Sequence, residues 1–182
     1  MENTEMFVVA CLGNPGKKYA TNRHNIGFLL GEYIAGLYRI SLAASSFSAL
    51  AGKGTMEGRD VLIVMPQTYM NNSGGPVRKA VDFYKVPPER LVVVHDDIEL
   101  PFCQFRSKFG GGHKGQNGVR SIIQELGTPD FYRIRFGVGR PENPDVAVAD
   151  HVLSNFTGDE LERIREAAPS VAEMLIAILT AQ

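Results

Sequence analysis

Cysteine is scarce in this chain: of 182 residues, only Cys11 and Cys103 carry a thiol. Two are too few for a disulfide framework and lack metal-ligand spacing, so the fold is expected to rest on burial in a reducing compartment. Long apolar runs are missing too. No segment approaches the ~18 consecutive apolar residues of a membrane span, and the opening "MENTEM" is neither basic nor followed by an apolar stretch with a cleavage site. These absences argue against secretion and membrane insertion and for a cytoplasmic protein. Net charge is nearly absent as well, −1 at pH 7, so composition alone does not point to a polyanionic partner. Familiar catalytic signatures are also lacking. There is no G-x-S-x-G nucleophile turn and no Walker lysine motif, and "GNPG" at 13–16 has a proline where a dinucleotide fingerprint needs an open phosphate-binding turn.

What is present is ordinary in amount and uneven in placement. Apolar residues make up 44% and charged residues 21%, the balance of a soluble globular chain. A chain of this size can bury roughly 70% of its unfolded surface without metals or disulfides. From Leu100 to Gln124 the four charged residues, Arg106, Lys108, Lys114 and Arg120, are all basic, whereas 142–173 holds eight acids against two arginines. That asymmetry permits a basic face for phosphates, and it equally permits a solvated basic loop.

Apolar runs at 6–12, 61–66 and 91–95 read as strands covered on both faces, with a further strand at 133–139 and weak ones at 48–56 and 103–109. Helical periodicity covers 23–39 (Ile26, Leu29, Leu30, Tyr33, Ile34 and Leu37 on one stripe), about 74–84, about 117–126, and 158–180, where Pro169 should kink or break the helix. Strands interleaved with helices, without repeats or linkers, predict one α/β domain over 1–182 with a central mixed sheet flanked by helices.

In open α/β sheets ligands bind beyond the carboxyl ends of the strands, so the residues just after each apolar run carry the most information. After 6–12 come Asn14 and then His24; after 61–66 comes "QTYMNNSGG" with Asn71; after 91–95 come Asp96 and Asp97; after 103–109 comes "GGGHKGQNG" with Asn117. Four loops thus carry an imidazole, carboxylates and amides toward what should be one edge. Taken singly, each has a plain reading: "GNPG" as a turn, His24 as a helix-start residue, the aspartates as turn residues or, with His95, a metal site, and the triple glycine as a flexible connection. Taken together, they suit hydrolysis of an acyl bond by water: an imidazole takes the proton, an aspartate orients it, and amides donate to the oxyanion. A helix N-terminus favours the neutral ring and an aspartate partner favours the cation, and the sequence leaves that balance open.

"CLGNPGKKYATNRHNIGF", "MPQTYMNNSG", "VVVHDDIELP", "GGGHKGQNGVRSI" and "FYRIRFGVGRP" occur in this order and closely resemble the bacterial-type peptidyl-tRNA hydrolase family. The resemblance spans about 7–141, more loosely through the last helix. It implies a monomeric enzyme, without cofactor or metal, that hydrolyses the ester between a peptide and the terminal ribose of tRNA. It implies His24 as catalytic base, with Asp96 as its partner and Asn14 beside them. It further implies Asn71 and Asn117 as substrate-binding amides and Tyr19 and Tyr69 as aromatics lining the peptide cleft. Arg106, Lys108 and Arg133 are the implied tRNA contacts, and a lid is expected at about 143–157. One position departs from the pattern: Gln116 stands where the family frequently has histidine, and an amide cannot carry a proton at neutral pH. Binding rather than activity is expected to be tuned by it. Two other functions compete: an RNA-binding relative of the same fold that has no need of chemistry, and a metal-dependent phosphoesterase built on His95, Asp96 and Asp97. The intact set of His24, Asp96, Asn14, Asn71 and Asn117 favours the enzyme.

Overall fold

The computed structural model describes residues 5–181. Seven strands form one mixed sheet: β1 (Phe7–Cys11), β2 (Ala43–Ala44), β3 (Ala49–Met56), β4 (Arg59–Pro66), β5 (Leu91–Asp97), β6 (Phe105–Phe109) and β7 (Tyr132–Gly137). Their order is β2-β3-β4-β1-β5-β7-β6. β4, β1, β5 and β7 run parallel, whereas β2, β3 and β6 are antiparallel additions. The helices are α1 (Ile26–Leu37), α2 (Gly74–Phe83), α3 (Asn117–Leu126), α4 (Val148–Val152) and α5 (Gly158–Thr180).

Alternation along the strands divides the core. Phe7, Val9 and Cys11 of β1 face one layer with α1 and α5, while Val8 and Ala10 face the other with α2 and α3. Both faces being covered explains why β1, β4 and β5 are nearly unbroken apolar runs. The two cysteines are free, Cys11 buried and Cys103 half-buried. No helix among the described residues is long and apolar enough to cross a membrane.

Several boundaries differ from the sequence reading. β5 continues through Asp97, so both aspartates sit in the strand rather than after it. The helix expected from residue 23 begins as a 3-10 turn, Arg23–Asn25, and becomes α-helical at Ile26. Leu37, assigned to the buried stripe, is 53% exposed at that helix's last residue. α5 runs unbroken through Pro169. The proline is exposed, so the carbonyl it leaves without a helical partner, four residues back, lies on the exposed side at Arg165 and is open to water. α5 starts with a capping box, in which the Thr157 hydroxyl accepts from Glu160 N while the Glu160 carboxylate accepts from Thr157 N.

β1 is the switch point of the sheet. From it the chain goes first to β4 on one side and then to β5 on the other, leaving a crevice beyond the carboxyl ends of these three strands. α1 enters that crevice closely: a Cβ on Gly27 would lie 2.4 Å from Leu12 O and 2.6 Å from Val94 O. Backbone atoms cannot yield as a side-chain tip can, so Gly27→Ala should displace the start of α1 and the turn before it. The expected cost is about 2–4 kcal/mol, a fall in Tm of roughly 5–15 °C by calorimetry. An unchanged Tm would mean the helix has room to shift.

Candidate active site

The crevice is a cleft of about 680 Å³. Of the residues singled out by sequence, Asn14, Tyr19, His24, Tyr69, Asn71, Asp96, Asn117, Lys108 and Arg133 line it; Arg106 does not. At its centre His24 Nδ1 lies 2.8 Å from Asp96 Oδ2. The 3-10 turn brings His24 in from the β1 side, and the end of β5 presents the carboxylate, which is 4% exposed.

Burial lowers the basicity of the His24 ring, but the Asp96 charge and hydrogen bond outweigh it, so its pKa is raised above the ordinary histidine value. For Asp96 burial alone would favour the neutral acid; the His24 charge and hydrogen bond, with a further bond from Gln116, hold it below the ordinary carboxylate value. With Nδ1 engaged by the carboxylate, Nε2 is the nitrogen left for a substrate water.

Amides frame this pair. Asn14 Oδ1 accepts from Met70 N at 2.7 Å, which leaves the Asn14 NH2 as its free donor. Its backbone is locked to Asn25, whose Oδ1 accepts from Asn14 N and whose Nδ2 donates to Asn14 O, each at 2.9 Å. Asn71 and Asn117 are both exposed at the cleft, one in the 3-10 turn Met70–Asn72 and the other in the first turn of α3. Tyr69 is 56% exposed with φ 62 and ψ 155, a conformation that costs a non-glycine residue of order 1–3 kcal/mol. Its ring meets Tyr19 edge-on, with centroids 6.3 Å apart. Val148 and Val152 of α4, with Leu153 just after it, add apolar side chains to the lining, inside the segment expected to be a lid.

Another part of the lining is basic. Lys108 on β6 faces Arg133 across the β6–β7 register, and Arg106 faces Arg135. Loss of hydration, followed by the charges of Lys114, Arg133 and Arg135, pushes the Lys108 ammonium below its ordinary value. Arg106 is exposed on the edge strand. Arg133 lines the cleft and is held from within the protein. It is 2% exposed, and its guanidinium donates to Gly112 O at 2.8 Å, Gly111 O at 2.7 Å and Pro129 O at 3.0 Å. With its two Nη atoms on three carbonyls, this side chain ties the glycine loop to β7.

The reason lies in strand direction. β6 is antiparallel to β7, so it ends at the edge of the sheet away from the cleft. The segment 110–116 must run back along the sheet to deliver Asn117, and it does so with Gly110 at φ 70 and Gly111 at φ 89. A Cβ on Gly111 would also lie 2.6 Å from Lys108 Nζ. The residues do not form the alternative metal site. Asp97 Oδ2 accepts from Arg135 at 3.0 Å, His95 Nδ1 lies 2.8 Å from Asp96 O, and no metal-ligating group of three or more His, Cys, Asp or Glu occurs among the described residues. Sequence reasoning missed the pairing of Arg135 with Asp97, the tie made by Arg133 and the helical form of α4 within the expected lid. The alternation of arginine with Ile134 and Phe136 is the one signal that places both arginines on a single face.

The chain is similar to known proteins of one family. The family model described as peptidyl-tRNA hydrolase matches residues 8–182. The peptidyl-tRNA hydrolase of Bacillus subtilis is 46% identical over 162 residues, covering 89% of this chain and 86% of the relative. That of Geotalea daltonii is 42% identical over 171 residues, covering 92% and 88%. The crystal structure of peptidyl-tRNA hydrolase from Acinetobacter baumannii superposes with a TM-score of 0.90 at 35% identity, covering 98% of this chain and 91% of that one. A 5'-methylthioadenosine nucleosidase from Arabidopsis thaliana, at 7% identity and a TM-score of 0.60, shares the fold alone.

The pair at the centre of the cleft has a direct spectroscopic test. The His24 imidazole should titrate above the ~6.5 of an ordinary histidine when followed by NMR. In Asp96→Asn, burial acts without an opposing charge, and the same resonance should titrate below that value. Equal values in the two proteins would mean that the contact carries no charge coupling.

Proposed function

The chain belongs to the peptidyl-tRNA hydrolase family and hydrolyses peptidyl-tRNA; we propose that it does so with a water activated by His24 and supported by Asp96. The observation that carries this reading is the 2.8 Å contact between His24 Nδ1 and a buried carboxylate at the floor of the cleft. His24 Nε2 takes a proton from water as the oxygen attacks the ester carbonyl carbon. The carbonyl oxygen becomes an oxyanion, toward which the Asn14 NH2 and the Asn117 side chain can donate. The intermediate then breaks its bond to the ribose oxygen, and the imidazolium returns its proton to that oxygen. The products are free tRNA and a peptide with a carboxyl terminus. Asp96 remains ionised throughout and stabilises the ring while it is charged.

The two walls suit the two halves of the substrate. Tyr19, Tyr69 and the exposed apolar side chains of α4 offer a surface for the peptide, with Asn71 able to bind its backbone. Lys108 and Lys114 suit phosphates near the acceptor end, and Arg106 lies where a more distant phosphate could reach it. An RNA binder without chemistry would need the cations but not a buried His–Asp pair, and this favours the enzyme. We read the active species as a cytoplasmic monomer.

Purified protein incubated with N-acetyl-aminoacyl-tRNA and a chelator should release free tRNA. His24→Ala should lower kcat by at least ~10²-fold, the usual scale of general-base catalysis, with the fold intact by circular dichroism. Near-normal activity in that variant would remove His24 from the reaction. Arg106→Ala/Lys108→Ala should raise KM for full-length tRNA and reduce its salt dependence by about one unit of log–log slope for each phosphate no longer neutralised. A minimal ester substrate should be cleaved almost as before. Equal losses on both substrates would assign these cations to shaping the site.

A further inference from the structure

The departure at Gln116 predicts a residue that tunes binding, but its contacts lie elsewhere. It is 9% exposed, with both ends of its amide committed. Nε2 donates to Asp96 Oδ1 at 2.9 Å, and Oε1 accepts from Val119 N at 2.8 Å. The orientation is dictated chemically, since only the NH2 end can face a carboxylate and only the oxygen can receive a backbone N–H. Nε2 also lies 3.3 Å from Met70 Sδ, which closes the pocket around it. Gly118 leaves room for this side chain: a Cβ there would lie 3.1 Å from Gln116 Oε1 and 2.6 Å from Met70 Sδ.

We propose that Gln116 is a positioning residue that fixes Asp96 for His24 and ties that carboxylate to the start of α3, which carries Asn117. The inference rests on the reading of Asp96 as partner of the base. Each oxygen of the carboxylate has one donor, Oδ2 facing His24 and Oδ1 receiving Gln116, so rotation of the group would break at least one bond. Capping alone does not account for a glutamine. Serine, threonine, aspartate and asparagine are the usual caps, and their short side chains would satisfy Val119 N without reaching Asp96. Neutrality matters as well. A histidine at 116 can gain charge in the same pH range as His24 and compete with it for Asp96. The amide supports the carboxylate equally at every pH.

Gln116→Asn separates the two contacts, because asparagine is a strong N-cap but too short for Asp96. Its Tm should fall by only a few degrees, the effect of one buried carboxylate oxygen left unpaired with the cap retained, while kcat falls about tenfold, the scale of one hydrogen bond to a charged group, with KM little changed. The acidic limb of its pH–rate profile should move to higher pH, since Asp96 then directs its charge to His24 alone. Gln116→Glu keeps both length and cap. Its carboxyl can donate to Asp96 only while protonated, so the variant should show a basic limb that the parent lacks. Parent-like kcat and profile in both variants would reduce Gln116 to a helix cap and overturn the inference. Asp96→Asn measured alongside distinguishes the levels. An impaired Asp96→Asn with parent-like Gln116 variants defeats only the role of Gln116. A parent-like Asp96→Asn removes the dyad, and the inference with it.

Discussion

A carboxylate buried at the end of a strand must be paired or lose its charge, and Asp96 is such a group. Its donors come from distant parts of the chain: His24 follows β1, and Gln116 immediately precedes α3. Removing either would leave an oxygen short of a partner where water does not reach, a more costly state than never having placed a charge there. The junction between β1 and α1 and the loop before α3 are therefore held at one point by the same group. The amides follow from this. Asn14 is locked to Asn25, next to His24, and Asn117 is next to Gln116, so fixing the dyad fixes the donors beside it.

A second constraint is geometric. An antiparallel β6 leaves the chain at the wrong end of the sheet for a residue that must reach the cleft. The return path is made of glycines, which leave few side chains to hold it in place. Arg133 supplies that hold from beneath, with its fork on the carbonyls of Gly111 and Gly112. Lys108 lies over the same loop, next to Gly111. One arginine thus anchors the loop internally while a neighbouring lysine on the same face remains available to a phosphate.

The difference between these two cations explains what sequence can and cannot disclose. Runs such as Val61–Met65 and Leu91–Val94 are legible because both sheet faces are buried and neither polar interruption nor periodicity clouds them. The bounds of α3 and α5 are legible from their apolar periodicity, although the passage of α5 through Pro169 is not. Direction is not legible. Nothing in "CQFRSKF" says that β6 runs against β7, so the sequence alone places the exit of the glycine loop at the cleft. The burial of Arg133 is hidden by the same ambiguity, since an arginine two residues from another in an alternating strand looks like a surface pair. α4 is hidden for a different reason: five residues with one apolar flank hold too little periodicity to register. The dyad residues are visible as types and positions, but Gln116 is legible only as a departure, because its partner is defined by folding.

The other side of His24 is held as firmly. Arg23, the residue before it, donates through Nη1 to Ser154 Oγ at 2.9 Å and Asn155 O at 2.6 Å, and through Nη2 to Glu160 Oε1 at 2.9 Å. Its guanidinium lies 5.3 Å from the Phe156 ring centroid, and Asn22 and Asn155 form an isolated antiparallel bridge beside it. Glu160 is also the capping carboxylate of α5. The segment leaving α4, the start of α5 and the turn bearing His24 therefore share one anchor. On its other flank α4 is stitched more lightly, with His151 Nε2 2.9 Å from Gly139 O. Displacement at Ser154 or Asn155 would break several bonds at the residue adjoining His24, so the end of α4 and the ring facing Asp96 are positioned by the same contacts.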